Sequence, residues 1–194
     1  ESPRTLPTDS NRLAFLNEFT NLKGLDLNGI FLTQRDLDSV AKCKSLKQLS
    51  LNSVQIVDGE LRCVRGSDLE KFVGLTQLES LDLSRANFAG GLKHLSSLPK
   101  LRTLFLSSFE HVNDATIAEL AVLPHLETLV LAPDLLTTQQ ATVTDVGLKS
   151  LQHLTALKTL YVGYHGTFTL PVERLRELLP NVEVKSPRED VPAP

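Results

Sequence analysis

The chain has 194 residues, a net charge of −3 and a composition that is 41% hydrophobic but only 5% aromatic. Lys and Arg are nowhere concentrated, which argues against recognition of a nucleic-acid backbone or an anionic membrane surface. No run of about 18 apolar residues reads as a membrane-spanning helix, and two cysteines, Cys43 and Cys63, are too few for a disulfide framework.

Residues 1–8 are polar and aperiodic and are expected to form a disordered leader. The start, Glu1-Ser2-Pro3-Arg4, reads as the trimmed end of a longer product and is compatible with removal of a signal peptide, so the compartment stays open. Asp9 or Ser10 then begins a helix over residues 9–21 whose apolar face is Leu13, Leu16 and Phe19. This half-repeat reads as a cap on the end of a larger apolar stack.

From Leu22 onward a pattern of leucine, two residues, leucine, one residue, leucine takes over. It runs Leu22-Leu25-Leu27, Leu46-Leu49-Leu51, Leu78-Leu81-Leu83, Leu101-Leu104-Leu106, Leu126-Leu129-Leu131 and Leu157-Leu160-Val162. A weaker seventh copy appears at Val182 and Val184. The first leucines are spaced by 24, 32, 23, 25 and 31 residues, a period that marks stacked repeats. Ahead of the strands run second apolar ladders such as Leu92-Leu95-Leu98 and Leu148-Leu151-Leu154. Helix starts are expected at Thr33, Ser67, Asn113 and Thr144, whose side chains can accept the free amides of a first turn. Pro99, Pro124 and Pro180 follow the last helical leucines, where proline stops a helix.

Each unit is therefore strand, loop, helix and return. One unit of this size cannot bury enough apolar surface to offset the ordering of its backbone, so stability requires neighbours that cover both its faces. Two units carry extra chain, within Val57 to Gly66 and within Pro133 to Ala141, in both cases after the strand and before the helix. Cys43 stands where other units place leucine and is expected to be a small buried hydrophobe, unpaired with Cys63 in the first insertion. Residues 185–194, with three prolines and mixed charge, are expected to be a flexible tail or linker.

This pattern resembles the leucine-rich repeat family over nearly the whole chain, roughly Ser10 to Val184. The run Val143-Thr144-Asp145 followed by Leu148, Leu151, Leu154 and Leu157 is similar to a bacterial subclass related to the ribonuclease-inhibitor-like horseshoes. The resemblance implies an α/β solenoid, a right-handed horseshoe with one curved parallel sheet on the concave face and helices on the convex face. Residues 9–184 then form a single domain of a cap, six repeats and a short terminal strand at 182–184. It also implies protein recognition as the task. One departure stands out. The family usually places asparagine, cysteine or threonine at the ninth position of the motif, whereas here it holds Ile30, Val54, Ala86, Phe109, Asp134 and His165. The turn after each strand must settle its backbone hydrogen bonds by another route.

With the leucines inward, alternation places the third, fifth and seventh positions on the open face. The fifth-position row is Asp26, Ser50, Asp82, Phe105, Val130 and Tyr161; the seventh begins Asn28, Asn52, Ser84, Ser107. Asp26 and Asp82 fall two strands apart, about 9.6 Å, near the carboxylate spacing of inverting glycosidases, but an open sheet offers no pocket to raise one pKa. No histidine joins the serines of these rows, since His94 and His153 fall on helices, His125 in a return, and His111 and His165 past strand ends. Metal-ligand spacing is absent, and Gly90-Gly91 is an isolated pair. No catalytic residue, metal or cofactor is assigned.

The expected function is a non-catalytic, monomeric protein-binding module. Phe105, Tyr161 and Tyr164 are the expected anchors, since aromatic residues dominate interface hot spots. Asp82 and Arg85 would set orientation, and Phe109 is included although its ninth-position slot can face the core. The alternative is a carbohydrate or cell-wall binder, in which Phe105, Tyr161 and Tyr164 stack on sugar rings beside Asn28, Asn52 and Asp82.

Overall fold

The computed structural model describes residues 10–87, 90–107, 113–131, 144–162 and 172–185. The leucine pattern becomes a seven-stranded parallel sheet. Its strands, in spatial and chain order, are β1 (Gly24–Asp26), β3 (Gln48–Ser50), β6 (Ser80–Asp82), β7 (Thr103–Phe105), β8 (Thr128–Leu131), β9 (Thr159–Val162) and β10 (Glu183–Lys185). The register follows the motif, because a slip of one residue would turn every leucine out to solvent. Leu25, Leu49, Leu81, Leu104, Leu129, Leu160 and Val184 lie side by side in one row. They join the leucines before and after them in one contiguous core.

The layer behind the sheet mixes two kinds of helix. The α-helices are α1 (Gln34–Lys42), α2 (Asp114–Glu119), α3 (Asp145–Ser150) and α4 (Val172–Leu178), while Gly66–Phe72 and Leu92–Ser97 are 3-10 helices. A 3-10 helix rises about 2.0 Å per residue against 1.5 Å for an α-helix, so a short repeat can span the same distance with fewer residues. The shortest spacing, the 23 residues from Leu78 to Leu101, contains the 3-10 helix Leu92–Ser97. Thr33, Asn113 and Thr144 do cap their helices, accepting from Asp36 N–H, Thr116 N–H and Val146 N–H. Ser67 does not. Its helix starts two residues earlier, with Arg65 at the cap position, because the Asp68 carboxylate accepts the Arg65 amide at 2.8 Å and organises that turn instead.

Acidic residues at helix starts also stitch neighbouring repeats together. Asp36 accepts the Leu13 amide of the cap at 3.0 Å, Asp68 accepts Gln34 Nε2 at 3.1 Å, Asp114 accepts the Thr144 amide at 2.7 Å and Asp145 pairs with Arg174. Gly147 is required beside Asp114, since a Cβ there would lie 2.4 Å from the carboxylate oxygen.

The cap is a 3-10 helix, Ala14–Glu18, that buries Leu16. Phe19 is 53% exposed, against expectation, because it follows the last helical residue in extended backbone (φ −91°, ψ 95°) and swings off the Leu13-Leu16 line to meet Phe15 edge to face. The first insertion is a β-hairpin. Strands β4 (Gln55–Asp58) and β5 (Glu60–Cys63) turn at Gly59 (φ 73°), and β4 also pairs with β2 (Phe31–Thr33) in a second, three-stranded sheet. The second insertion lies outside the described residues. At the C-terminal end the strand is Glu183–Lys185 rather than 182–184, so Lys185 belongs to the sheet and not to a tail. Cys43 is buried and Cys63 half-buried, and both are free thiols. Burial raises the Cys43 pKa despite nearby Lys44.

Candidate protein-docking face

Three rows of side chains run across the open face of the sheet. The first, just before the strands, carries alternating charge: Lys47 reaches Glu79 at 2.7 Å, and Glu127 is shared by Arg102 at 3.3 Å and Lys158 at 2.6 Å. Lys47 lowers the Glu79 pKa and Lys158 lowers that of Glu127, but these exposed pairs add little to stability. The second row is neutral and half-exposed: Ser80, Thr103, Thr128 and Thr159, beside the exposed Gln48.

The third row, at the strand ends, divides into two halves. Phe105, Val130 and Tyr161 form an apolar cluster separate from the main core, with Lys185 Nζ 5.8 Å from the Tyr161 ring. On the other half, Asp26, Asn28, Ser50, Asn52, Asp82 and Ser84 are joined in a hydrogen-bonded rim. Asp26 accepts the Asn28 amide at 2.9 Å, and Asp82 accepts the Ser84 amide at 2.8 Å and the Ser50 hydroxyl at 3.3 Å. Asn28 Oδ1 accepts the Asn52 amide at 3.0 Å and a short bond from Ser50 Oγ; Ser84 Oγ accepts the Ser107 amide at 3.2 Å.

This rim supplies what the missing ninth-position asparagine would. The amides of Ile30, Val54 and Ala86 close turns onto the carbonyls of Leu27, Leu51 and Leu83, while Gly29, Ser53 and Arg85 donate to the next repeat at Asn52, Ser84 and Ser107. The third residue of each turn must adopt positive φ: Gly29 at 70°, Ser53 at 58° and Arg85 at 62°. Only glycine does so freely.

The expected site residues fall in different situations. Arg85 is exposed at the rim. Asp82 is buried and committed to the turn. Phe105 and Tyr161, at 4% and 6% exposure, do not present their rings to solvent as expected, because they pack on each other's repeat through Val130. Phe109 and Tyr164 lie outside the described residues.

Comparison with solved structures bears directly on this architecture. Internalin C2 from Listeria monocytogenes matches with a TM-score of 0.54 and 21% identity over 88% of this chain and 74% of its own. A leucine-rich-repeat protein of Leptospira interrogans matches with a TM-score of 0.55 and 24% identity, over 88% of this chain and 38% of its own. The Listeria monocytogenes internalin inlF matches at 0.51 and 18%, over 92% and 50%. The fold is that of a leucine-rich repeat protein. No family model and no curated protein matches the chain.

As a leucine-rich repeat solenoid, the protein presents its open sheet face as the concave surface. Two features were missed from sequence: the rim network on that surface, and the folded hairpin insertion, which belongs to the second, three-stranded sheet. Asp58-Gly59 was the available signal for the second, since this dipeptide favours tight hairpin turns. The hairpin is fixed by Arg62, whose guanidinium meets Asp68 at 2.7 and 2.9 Å. Burial pushes the Asp68 carboxyl up, but Arg62, the Arg65 amide and Gln34 together outweigh it and hold its pKa below the usual range. Among the described residues, no three His, Cys, Asp or Glu side chains could hold a metal ion, and no helix is long and apolar enough to cross a membrane.

Proposed function

We propose that the protein is a non-catalytic module that binds a protein partner on its concave face, centred on the rim at the ends of β1, β3 and β6. The observation that carries this reading is Arg85. A large, exposed side chain occupies a positive-φ turn position that glycine fills in the first repeat, and such backbone cost is characteristic of functional sites. Its neighbours are already held by hydrogen bonds, so a partner would meet ordered polar groups and lose little entropy in fixing them.

The face is small. Seven strands about 4.8 Å apart, each offering about five residues at 3.3 Å, present roughly 500 Å², short of the roughly 800 Å² that each side contributes to a standard interface. The partner is therefore expected to reach beyond the strands onto the turns, which favours Arg85 over mid-strand positions. Phe105 and Tyr161 would act from beneath, stiffening the adjoining half, and Phe109 and Tyr164 remain part of the proposed site. The carbohydrate alternative is not favoured, because it needs the rings of Phe105 and Tyr161 open for stacking and both are buried.

The test is a photo-crosslinking residue placed at Gln48 or Arg85, with Lys149 on α3 as the control. Crosslinks from the first two to one protein, absent from Lys149, support the reading. Crosslinks from Lys149 alone place the site on the convex side and reject it.

A further inference from the structure

Behind the rim, where the chain leaves the turn after β6, a surface cavity of about 620 Å³ opens between the 3-10 helices Gly66–Phe72 and Leu92–Ser97. Its floor is bare backbone. A Cβ on Gly66 would fall 1.6 Å from the Gly90 carbonyl oxygen, and one on Gly91 would fall 2.5 Å from the Gly66 backbone, so no side chain can occupy the contact. A bridge between Arg65 and Asn87, with the Asn87 amide bonded to Val64 O at 2.7 Å, closes one wall.

The lining is rich in donors: Arg65, Ser67, Asn87, Lys93 and His94 surround the space, with Glu119 as the single carboxylate. Glu119 already faces a backbone group, accepting the Lys93 amide at 3.4 Å. Lys47, Arg62, Lys71, Arg102, Lys158 and Arg174 all have carboxylate partners. Among the described residues, the exposed side chains of Arg65 and Lys93 have none, as is also the case for Lys23, Lys42, Lys44 and Lys149; what sets Arg65 and Lys93 apart is the glycine-floored cavity they share. Two unpaired cations facing one glycine-floored cavity, in a chain of net charge −3, are a combination that suits an oxyanion, which a guanidinium binds in bidentate fashion.

We propose that this cavity binds an oxyanion group, carboxylate or phosphoryl, carried on a side chain of a peptide ligand. The cavity and the rim share the segment from Ser84 to Asn87, so a protein docked on the rim can reach into it. The assignment thus deepens the reading above and rests on it for the identity of the ligand as a protein. The anion chemistry itself does not depend on the rim.

The experiment is a titration of the ¹⁵N-labelled protein, followed by NMR of backbone amides and the Arg65 Nε–H, with inorganic phosphate, O-phosphoserine and N-acetylaspartate. Sodium chloride at matched ionic strength is the control. Saturable shifts at Arg65, Ser67, Gly91 and Lys93 with either amino acid support the proposal, and the tighter of the two identifies the group. The double variant Arg65→Gln, Lys93→Gln should bind at least roughly tenfold more weakly, with its spectrum elsewhere unchanged. Lys149→Gln, on the exposed side of α3, should bind as the parent does, so that loss of charge alone is told from loss of the cavity; failure of the rim reading is read separately from the crosslinks at Gln48 and Arg85. Shifts that follow ionic strength alone, saturation by neither amino acid, or undiminished binding by the double variant would overturn it.

Discussion

Asp68→Ala removes the acceptor on which the first insertion depends. The carboxylate is 4% exposed and receives both guanidinium nitrogens of Arg62, the Arg65 amide and Gln34 Nε2. Arg62 is itself only 10% exposed and also meets the exposed Asp58 at 3.4 Å. Removing one partner of a buried pair leaves the other charge without compensation, at a cost of about 3–5 kcal/mol. For a chain of this size that corresponds to a fall in Tm of roughly 6–20 °C. Denaturant unfolding and hydrogen exchange across residues 55–68 would measure it, with exchange accelerated first in the hairpin. The double change Arg62→Met, Asp68→Leu should recover much of the loss, since it leaves no orphaned charge. A loss below about 1 kcal/mol would show that water screens the pair as at a surface site, and would refute the argument. The pH dependence has a definite sign. Because the folded pKa of Asp68 is depressed, its contribution is fully present above the unfolded value of about 3.9 and is lost as pH falls through the folded value. The parent should therefore lose more stability there than Asp68→Ala, which keeps only the acid dependence of the other paired carboxylates such as Glu79 and Glu127.

Three further outcomes follow from burial and backbone geometry. Phe105→Ala should cost about 3–5 kcal/mol, measured by denaturant unfolding, because the ring is enclosed by the Val130 and Tyr161 repeats; a variant as stable as the parent would mean the ring is in fact free. Arg85→Gly should raise stability by up to about 1 kcal/mol, since the αL penalty at φ 62° disappears, while partner affinity falls. Leu104→Ala, at a fully buried site between Leu81 and Leu129, should cost about 2–5 kcal/mol, whereas the half-exposed Thr103→Ala should change stability by less than about 0.5 kcal/mol.

What was legible in the sequence was whatever a single row of side chains determines. The triplets from Leu22 to Val162 specified the strands, their order and their register, because alternation leaves each leucine one face to bury. Thr33, Asn113 and Thr144 announced their helices because capping is local. Ser67 misled because the acceptor that organises that turn, Asp68, works through Arg65 and Arg62, whose approach depends on a hairpin several residues away. Phe105 and Tyr161 were placed on the correct face but with the wrong exposure, since alternation reports the side of a sheet and not what packs along it. The rim was hidden for a related reason: Asp26, Asn28, Ser50, Asn52 and Asp82 are ordinary polar residues until parallel pairing sets them one strand apart.

The central claim is that a protein partner docks on the concave rim, and the most direct measurement is hydrogen exchange of the partner complex against the free protein. The account predicts new protection at residues 24–29, 48–53 and 80–87, together with a loss of affinity of about 1–3 kcal/mol in Arg85→Ala. Protection confined to the convex helices, at residues 114–119 and 145–150, with unchanged affinity in Arg85→Ala, would contradict it.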